Sequence, residues 1–215
     1  MRQDLTMQGF LLSAFFLFMM LTAAFADESS MQFSIQDRDG DRYILAEGLI
    51  DKTSDQKFVA FLKANAADAP TKIRLESRGG DLFAALRIGY LIREIGFSTE
   101  VREGSCYSAC VYTFLGGADR NADAYLLGVH HYAVRVIDPT PQKSALFNVI
   151  EQDVNQVLDQ MLGQYITSMG GTAFLMELAK DTPHDSLHRL DDADLERSGL
   201  LTGPTLAVTS LRPSS

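Results

Sequence analysis

"KIRLESRGGDLFAALRIGYLIREIGFSTEVREGSCYSACVYTFLGG", residues 72 to 117, switches between two hydrophobic periods and decides the fold. Lys72 to Ser77 reads as a short buried strand, and Gly79-Gly80 follows it. Leu82, Ala85, Leu86, Gly89 and Ile92 then fall on one stripe of a helix. Phe97 to Arg102 is a second strand, Gly104 to Ser108 a turn, and Ala109 to Leu115 an apolar helix that Gly116-Gly117 stops. Strands alternating with helices imply an α/β fold with largely parallel strands.

Working outward, Met31 to Asp37 and Tyr43 to Ile50 alternate apolar and polar residues on either side of Asp39-Gly40, which is a hairpin signal. The acidic string from Asp37 to Asp41 is a solvated turn, because a calcium loop needs its glycine at the sixth position and a late glutamate. Ser54 is placed to cap a helix whose apolar face is Phe58, Phe61 and Leu62. Ala124 to Tyr132 reads as a third strand. A loop with Pro139 and Pro141 leads to a long helix from Ser144 to about Met169, striped by Leu146, Val149, Ile150, Val154, Val157, Leu158, Met161 and Tyr165. A shorter helix (Thr172 to Lys180) and a last one before Gly199 complete the chain. There is no internal repeat and no interdomain linker, so residues 27–215 form one domain.

The 215 residues, 46% of them hydrophobic, suffice for one well-buried core. An apolar run from Phe10 to about Ala26 closes with Ala24-Phe25-Ala26, and Asp27 and Glu28 follow at once. It reads as a cleaved secretory signal over residues 1–26, which places the mature protein in the periplasm or outside the cell. The rival is an uncleaved anchor formed by residues 10–26, with the membrane association that implies. A net charge of -9 without a basic cluster argues against nucleic acid as a partner. Two cysteines in an exported chain suggest one disulfide rather than a metal site, and no cofactor motif is visible.

Chemistry concentrates around "GSCYSAC", Gly104 to Cys110. Ser108 follows a strand and opens a helix, so it is either a nucleophile on a sharp turn or a helix-capping serine. The Ala109 N–H beside it, at the positive end of the helix, and the side-chain-free backbone of Gly79-Gly80 are suited to hold an oxyanion. His130 and His131 end the third strand and point to opposite faces of it. Cys106 and Cys110 are close enough along a turn to pair, closing a small loop around Ser108.

These residues carry a resemblance. Glu76-Ser77-Arg78-Gly79-Gly80, Ser108 on the next βα turn, and "LLGVHHY" (Leu126 to Tyr132) resemble the Clp-protease/crotonase superfamily over about residues 43 to 200. The likeness is greatest to small exported relatives of the Clp protease proteolytic subunit. It implies a ClpP/crotonase-like spiral of βα units with a long C-terminal helix. It also implies a serine peptidase site with Ser108 as nucleophile, His130 as base, and Gly79, Gly80 and Ala109 at the oxyanion hole. A peptide or protein substrate and a homo-oligomer follow from the same likeness. Arg78 stands where that family has proline. Counting back from Gly199 puts Leu187 where its aspartate belongs, so Asp185 is the expected third member and Asp181 the reserve. The expected function is an exported, ATP-independent serine hydrolase with a Ser108-His130-Asp185 triad. The alternatives are a non-catalytic envelope binding or assembly protein and a crotonase-like acyl-thioester enzyme.

Overall fold

A computed structural model describes residues 29–132 and 145–203. The leader segment, residues 10–26 included, and the loop with Pro139 and Pro141 lie outside the described residues. Among the described residues no helix is long and apolar enough to cross a membrane.

The chain opens with a hairpin, β1 (Gln32–Arg38) and β2 (Asp41–Glu47), paired antiparallel with Arg38 opposite Asp41. Asp39 and Gly40 turn it with φ of 55° and 80°, the twist that two-residue hairpin loops require. The elements that follow are α1 (Ser54–Ala64), β3 (Lys72–Glu76), α2 (Leu82–Glu94) and β4 (Ser98–Val101). Then come β5 (Cys106–Tyr107), α3 (Ala109–Leu115), β6 (Arg120–Ala122) and β7 (Leu127–Val129). Last are α4 (Ala145–Ser168), α5 (Ala173–Asp181), β8 (His188–Arg189) and α6 (Asp192–Ser198).

The α/β reading holds. One sheet has the order β1-β2-β3-β4-β6, parallel from β2 onward, and a second has the order β5-β7-β8. In the second, β5 runs parallel to β7 and β8 antiparallel to it. Among the described residues one bridge joins the sheets: past the end of β3, Ser77 pairs with Cys106, its N–H donating to the Ser105 carbonyl at 2.8 Å. The chain after β3 is thereby handed from one sheet to the other, beside the turn that carries Ser108.

Three expectations are corrected. Ser54 is the first residue of α1 and not its cap; Thr53 holds that position, and the Ser54 hydroxyl accepts the Asp51 N–H at 2.9 Å. The strand expected over Ala124 to Tyr132 shrinks to Leu127–Val129, because Tyr125 adopts φ 68° and its N–H turns aside to the Leu190 carbonyl. On α4 the buried stripe is Leu158, Leu162, Tyr165 and Ile166, whereas Val157 is 63% exposed.

Close helix contacts organise the core. A Cβ on Gly116 would lie 2.3 Å from the Gly89 carbonyl oxygen, so α2 and the end of α3 meet backbone to backbone. The Tyr165 hydroxyl fills the space left at Gly89 and donates to the Tyr112 carbonyl at 2.6 Å, which ties α4 to α3. Beneath them Arg120 is buried with its guanidinium spread over chain ends. It donates to the carbonyls of Leu200 (2.6 Å), Gly117 (3.0 Å), Met169 (3.1 Å) and Gly199 (3.1 Å). Arg93 adds bonds to the Leu115 and Met169 carbonyls, both at 3.0 Å. These carbonyls lie at or just past the C-terminal ends of α3, α4 and α6, where partial negative charge collects and no intrahelical donor remains. Burial, together with the charge of Arg93, pushes the Arg120 pKa down to about 10, which still leaves it a cation at neutral pH.

Replacing Arg120 with alanine leaves several buried carbonyls without a donor, and each costs about 1–3 kcal/mol. Arg120→Ala is expected to lose at least about 3 kcal/mol of unfolding free energy in a urea titration followed by circular dichroism. A loss under about 1 kcal/mol would show that the carbonyls find other partners.

Candidate active site

Ser108 stands in the N-cap position of α3, yet its side chain makes no cap hydrogen bond. Its backbone has φ 55° and ψ -127°, a conformation that costs a non-glycine residue roughly 1–3 kcal/mol. A capping serine sits instead in extended geometry and spends its oxygen on the helix. The capping alternative therefore fails, and what remains is a serine on a strained strand-to-helix turn.

Several contacts hold this turn. The Ser108 N–H donates to the Gly128 carbonyl at 2.8 Å, and the Tyr107 N–H to the Ser77 carbonyl at 3.0 Å. Cys106 and Cys110, both buried, lie at disulfide distance with Cα atoms 5.2 Å apart. They close a loop whose interior is Tyr107, Ser108 and Ala109. The Gly79-Gly80 turn presses against it from the other side. Gly79 has φ 101°, and a Cβ there would sit 2.7 Å from the Tyr107 carbonyl oxygen and 2.8 Å from Ser108 Cβ. Gly80 has φ 133° and abuts the backbone of Ile50 at 2.1 Å from a Cβ position. Only glycine permits both the conformation and the approach.

The backbone donors here divide into two kinds. Gly79 N–H is taken by Ser77 Oγ at 3.1 Å. No hydrogen bond within the described residues engages the N–H of Gly80 or that of Ala109. In the sequence Ser77 stands only as one member of the Glu76 to Gly80 motif, because a serine in a Ser-x-Gly turn is too common to signal a role of its own. Ser77 and Arg78, adjoining this turn, also line a cleft of about 330 Å³ with Glu47, Gly48, Glu76, Ser29 and Ser105.

His130 leaves the end of β7, two residues beyond the Gly128 that binds Ser108. Its Nδ1 donates to the carbonyl oxygen of His131 at 3.0 Å, and its ring lies edge-on to that of His184 with centroids 5.0 Å apart. Burial holds the His130 pKa below the ordinary histidine value; the His131 carbonyl opposes that shift, and the charges of His184 and His131 reinforce it. No hydrogen bond joins Ser108 Oγ to His130 among the described residues. Asp185 is exposed, and among the described residues its carboxylate accepts only a 3.5 Å contact from Ser186 Oγ. Asp181, the last residue of α5, is exposed as well. In this geometry a backbone carbonyl, not a carboxylate, faces His130 Nδ1. A histidine–carboxylate pair does exist nearby, His188 Nε2 to Asp194 Oδ2 at 2.7 Å, where Asp194 also completes the capping box of α6. Among the described residues no group of three or more His, Cys, Asp or Glu side chains is placed to hold a metal ion.

No family model and no curated protein sequence matches this chain. Among solved structures, the membrane-bound stomatin-specific protease 1510-N is similar at 14% identity. The likeness covers 72% of this chain and 73% of that one, with a TM-score of 0.48.

Alkylation of freshly purified protein without reduction, followed by mass spectrometry, is expected to find no free thiol at Cys106 or Cys110. Two alkylated thiols would overturn the pairing. So short a loop contributes about 2 kcal/mol of unfolded-state entropy on the chain-entropy relation. Mild reduction should therefore lower reactivity at Ser108 before it melts the fold.

Proposed function

We propose that the chain is an exported, ATP-independent serine hydrolase acting on peptide bonds, with Ser108 as nucleophile and His130 as base. The observation that carries the reading is the Ser108 turn. A serine held at φ 55° with a hydroxyl that caps nothing costs stability, and Gly79 lacks the side chain that would obstruct it.

In the reaction, Ser108 Oγ attacks the scissile carbonyl carbon while its proton passes to His130 Nε2. The carbonyl π pair moves to oxygen, which the Gly80 and Ala109 N–H groups stabilise. Gly79 then serves as the spacer that lets the two turns touch. Collapse re-forms the carbonyl and breaks the C–N bond, and His130 Nε2–H gives the leaving amine its proton. Water next attacks the acyl-serine, surrendering a proton to Nε2; the C–Oγ bond breaks and the proton returns to Ser108. A bond between Ser108 Oγ and His130 is expected to tighten when substrate enters, as catalytic contacts often do. Asp185 remains the candidate third member if its loop closes on substrate.

A second reading keeps the fold and removes the chemistry. Among the described residues no carboxylate contacts His130, which favours a non-catalytic peptide-binding relative. The two readings differ in one experiment. Under the hydrolase reading a fluorophosphonate probe labels the protein, and Ser108→Ala abolishes both labelling and peptide hydrolysis while changing stability by less than about 1 kcal/mol. A well-folded Ser108→Ala protein with unchanged hydrolysis would exclude Ser108 as nucleophile.

His130→Ala should be nearly as damaging. His131→Ala should be much milder, because the part of His131 that His130 uses is the main-chain carbonyl, which the substitution keeps. If His131→Ala were the more damaging, the base would be assigned to the wrong neighbour.

The pH dependence follows from the burial of the His130 ring. The base must be neutral in the free enzyme, and its pKa is depressed from 6.5, so the neutral form survives further into acid. The acid limb of kcat/KM should fall below pH 6.5. A limb above that value would point to a carboxylate supporting the imidazolium.

A further inference from the structure

Two imidazoles converge on one carbonyl oxygen. His130 Nδ1 lies 3.0 Å and His184 Nδ1 2.9 Å from the oxygen of His131. A carbonyl oxygen only accepts, so each ring carries its proton on Nδ1 and leaves Nε2 with the lone pair. The same peptide segment is held from its other side. His131 N–H donates to the Thr182 carbonyl at 2.8 Å, and the Thr182 hydroxyl donates back to the Leu178 carbonyl on α5 at 2.8 Å. The chain from Thr182 to His184 thus grips the residues after β7 at two points, one on each side of His131.

That grip matters because the contact orienting His130 is local. A side chain bonded to the carbonyl of the next residue is fixed only while that peptide plane keeps its direction. In a Ser-His-Asp triad the carboxylate sets the tautomer and the ring orientation directly. Here the acceptor is main chain, and it takes a second hydrogen bond from the His184 imidazole. The edge-to-face packing at 5.0 Å also limits rotation of the His130 ring.

We propose that His184 is a positioning residue for the serine chemistry: it holds the His131 carbonyl in the direction that keeps His130 in its Nδ1–H form, with Nε2 free to take the serine proton. The inference rests on the hydrolase reading for its catalytic consequence, and on the hydrogen bonds alone for its structural one. It gives His184 a second effect. A charge on its ring, about five ångströms away, adds to the burial that disfavours a charge on His130. Among the described residues the titratable groups acting on His130 are His184 and His131, while Asp181 and Asp185 flank the segment, exposed.

The test uses His184→Ala and His184→Asn in the full exported protein. Asparagine keeps an N–H donor for the carbonyl but carries no charge. With a fluorophosphonate probe, His184→Ala should slow labelling of Ser108 by about tenfold to a hundredfold. His184→Asn should restore most of that rate and move the acid limb of the labelling profile upward, since the opposing charge is gone. Imidazole ¹⁵N shifts read the tautomer without any activity: His130 should be Nδ1–H in the parent, mixed in His184→Ala and Nδ1–H again in His184→Asn. Labelling that persists at the parent rate, with an unaltered tautomer in a folded His184→Ala, overturns the inference. If the parent is never labelled but the tautomer follows the three proteins as stated, the positioning role stands and the hydrolase reading fails instead.

Discussion

The site depends on a backbone that passes through a left-handed conformation at a residue with a side chain. Ser108 at φ 55° is unfavourable by roughly 1–3 kcal/mol, and nothing within the serine itself offsets that. The surroundings do. The Gly128 carbonyl takes its N–H, the Ser77 carbonyl takes that of Tyr107, and the Cys106–Cys110 pair closes the turn from within the core. Gly79 contributes by what it lacks, since any Cβ there would collide with Ser108. Two N–H groups beside this turn, those of Gly80 and Ala109, have no hydrogen-bond partner among the described residues.

The division into two sheets serves the same turn. β3 ends inside the five-stranded sheet, and the chain just beyond it pairs with β5 of the other. The Gly79-Gly80 turn and the Ser108 turn therefore emerge side by side from a shared ladder, and β7 delivers His130 along the next strand. On the far side of the helix layer, Arg120 and Arg93 gather the C-terminal ends of α3, α4 and α6. The helix that begins at the serine is thus restrained at both ends, by the disulfide loop at its start and by guanidinium donors at its finish. Under the proposed hydrolase function, rigid support of that kind lets the hydroxyl meet substrate without reorganisation.

Much of this was legible in the sequence. Asp39-Gly40 marked the hairpin, the period change between Lys72 and Leu82 marked a βα unit, and Gly79-Gly80 with Ser108 marked two turns. The second sheet was not legible, because β5 and β8 are two residues each and no periodicity can be read from so few. Arg120, in a polar string with no apolar period of its own, carried no sign that it would be buried. The contact to His130 could not be read at all, since its acceptor is a main-chain oxygen and every residue has one. Leu187 falls where the resemblance requires an aspartate, so the sequence offers Asp185 for that position only by a shift of two residues.

The central claim is geometric: the Ser108 hydroxyl and the N–H groups of Gly80 and Ala109 face one site. A crystal structure with a peptide boronic acid tests it most directly, because boron becomes tetrahedral only where a nucleophile reaches it. The account predicts a bond from Ser108 Oγ to boron, with one boronate oxygen about 2.7–3.1 Å from both the Gly80 and the Ala109 nitrogen. A boronate that stays trigonal, or a tetrahedral one whose oxygens meet neither nitrogen, would contradict it.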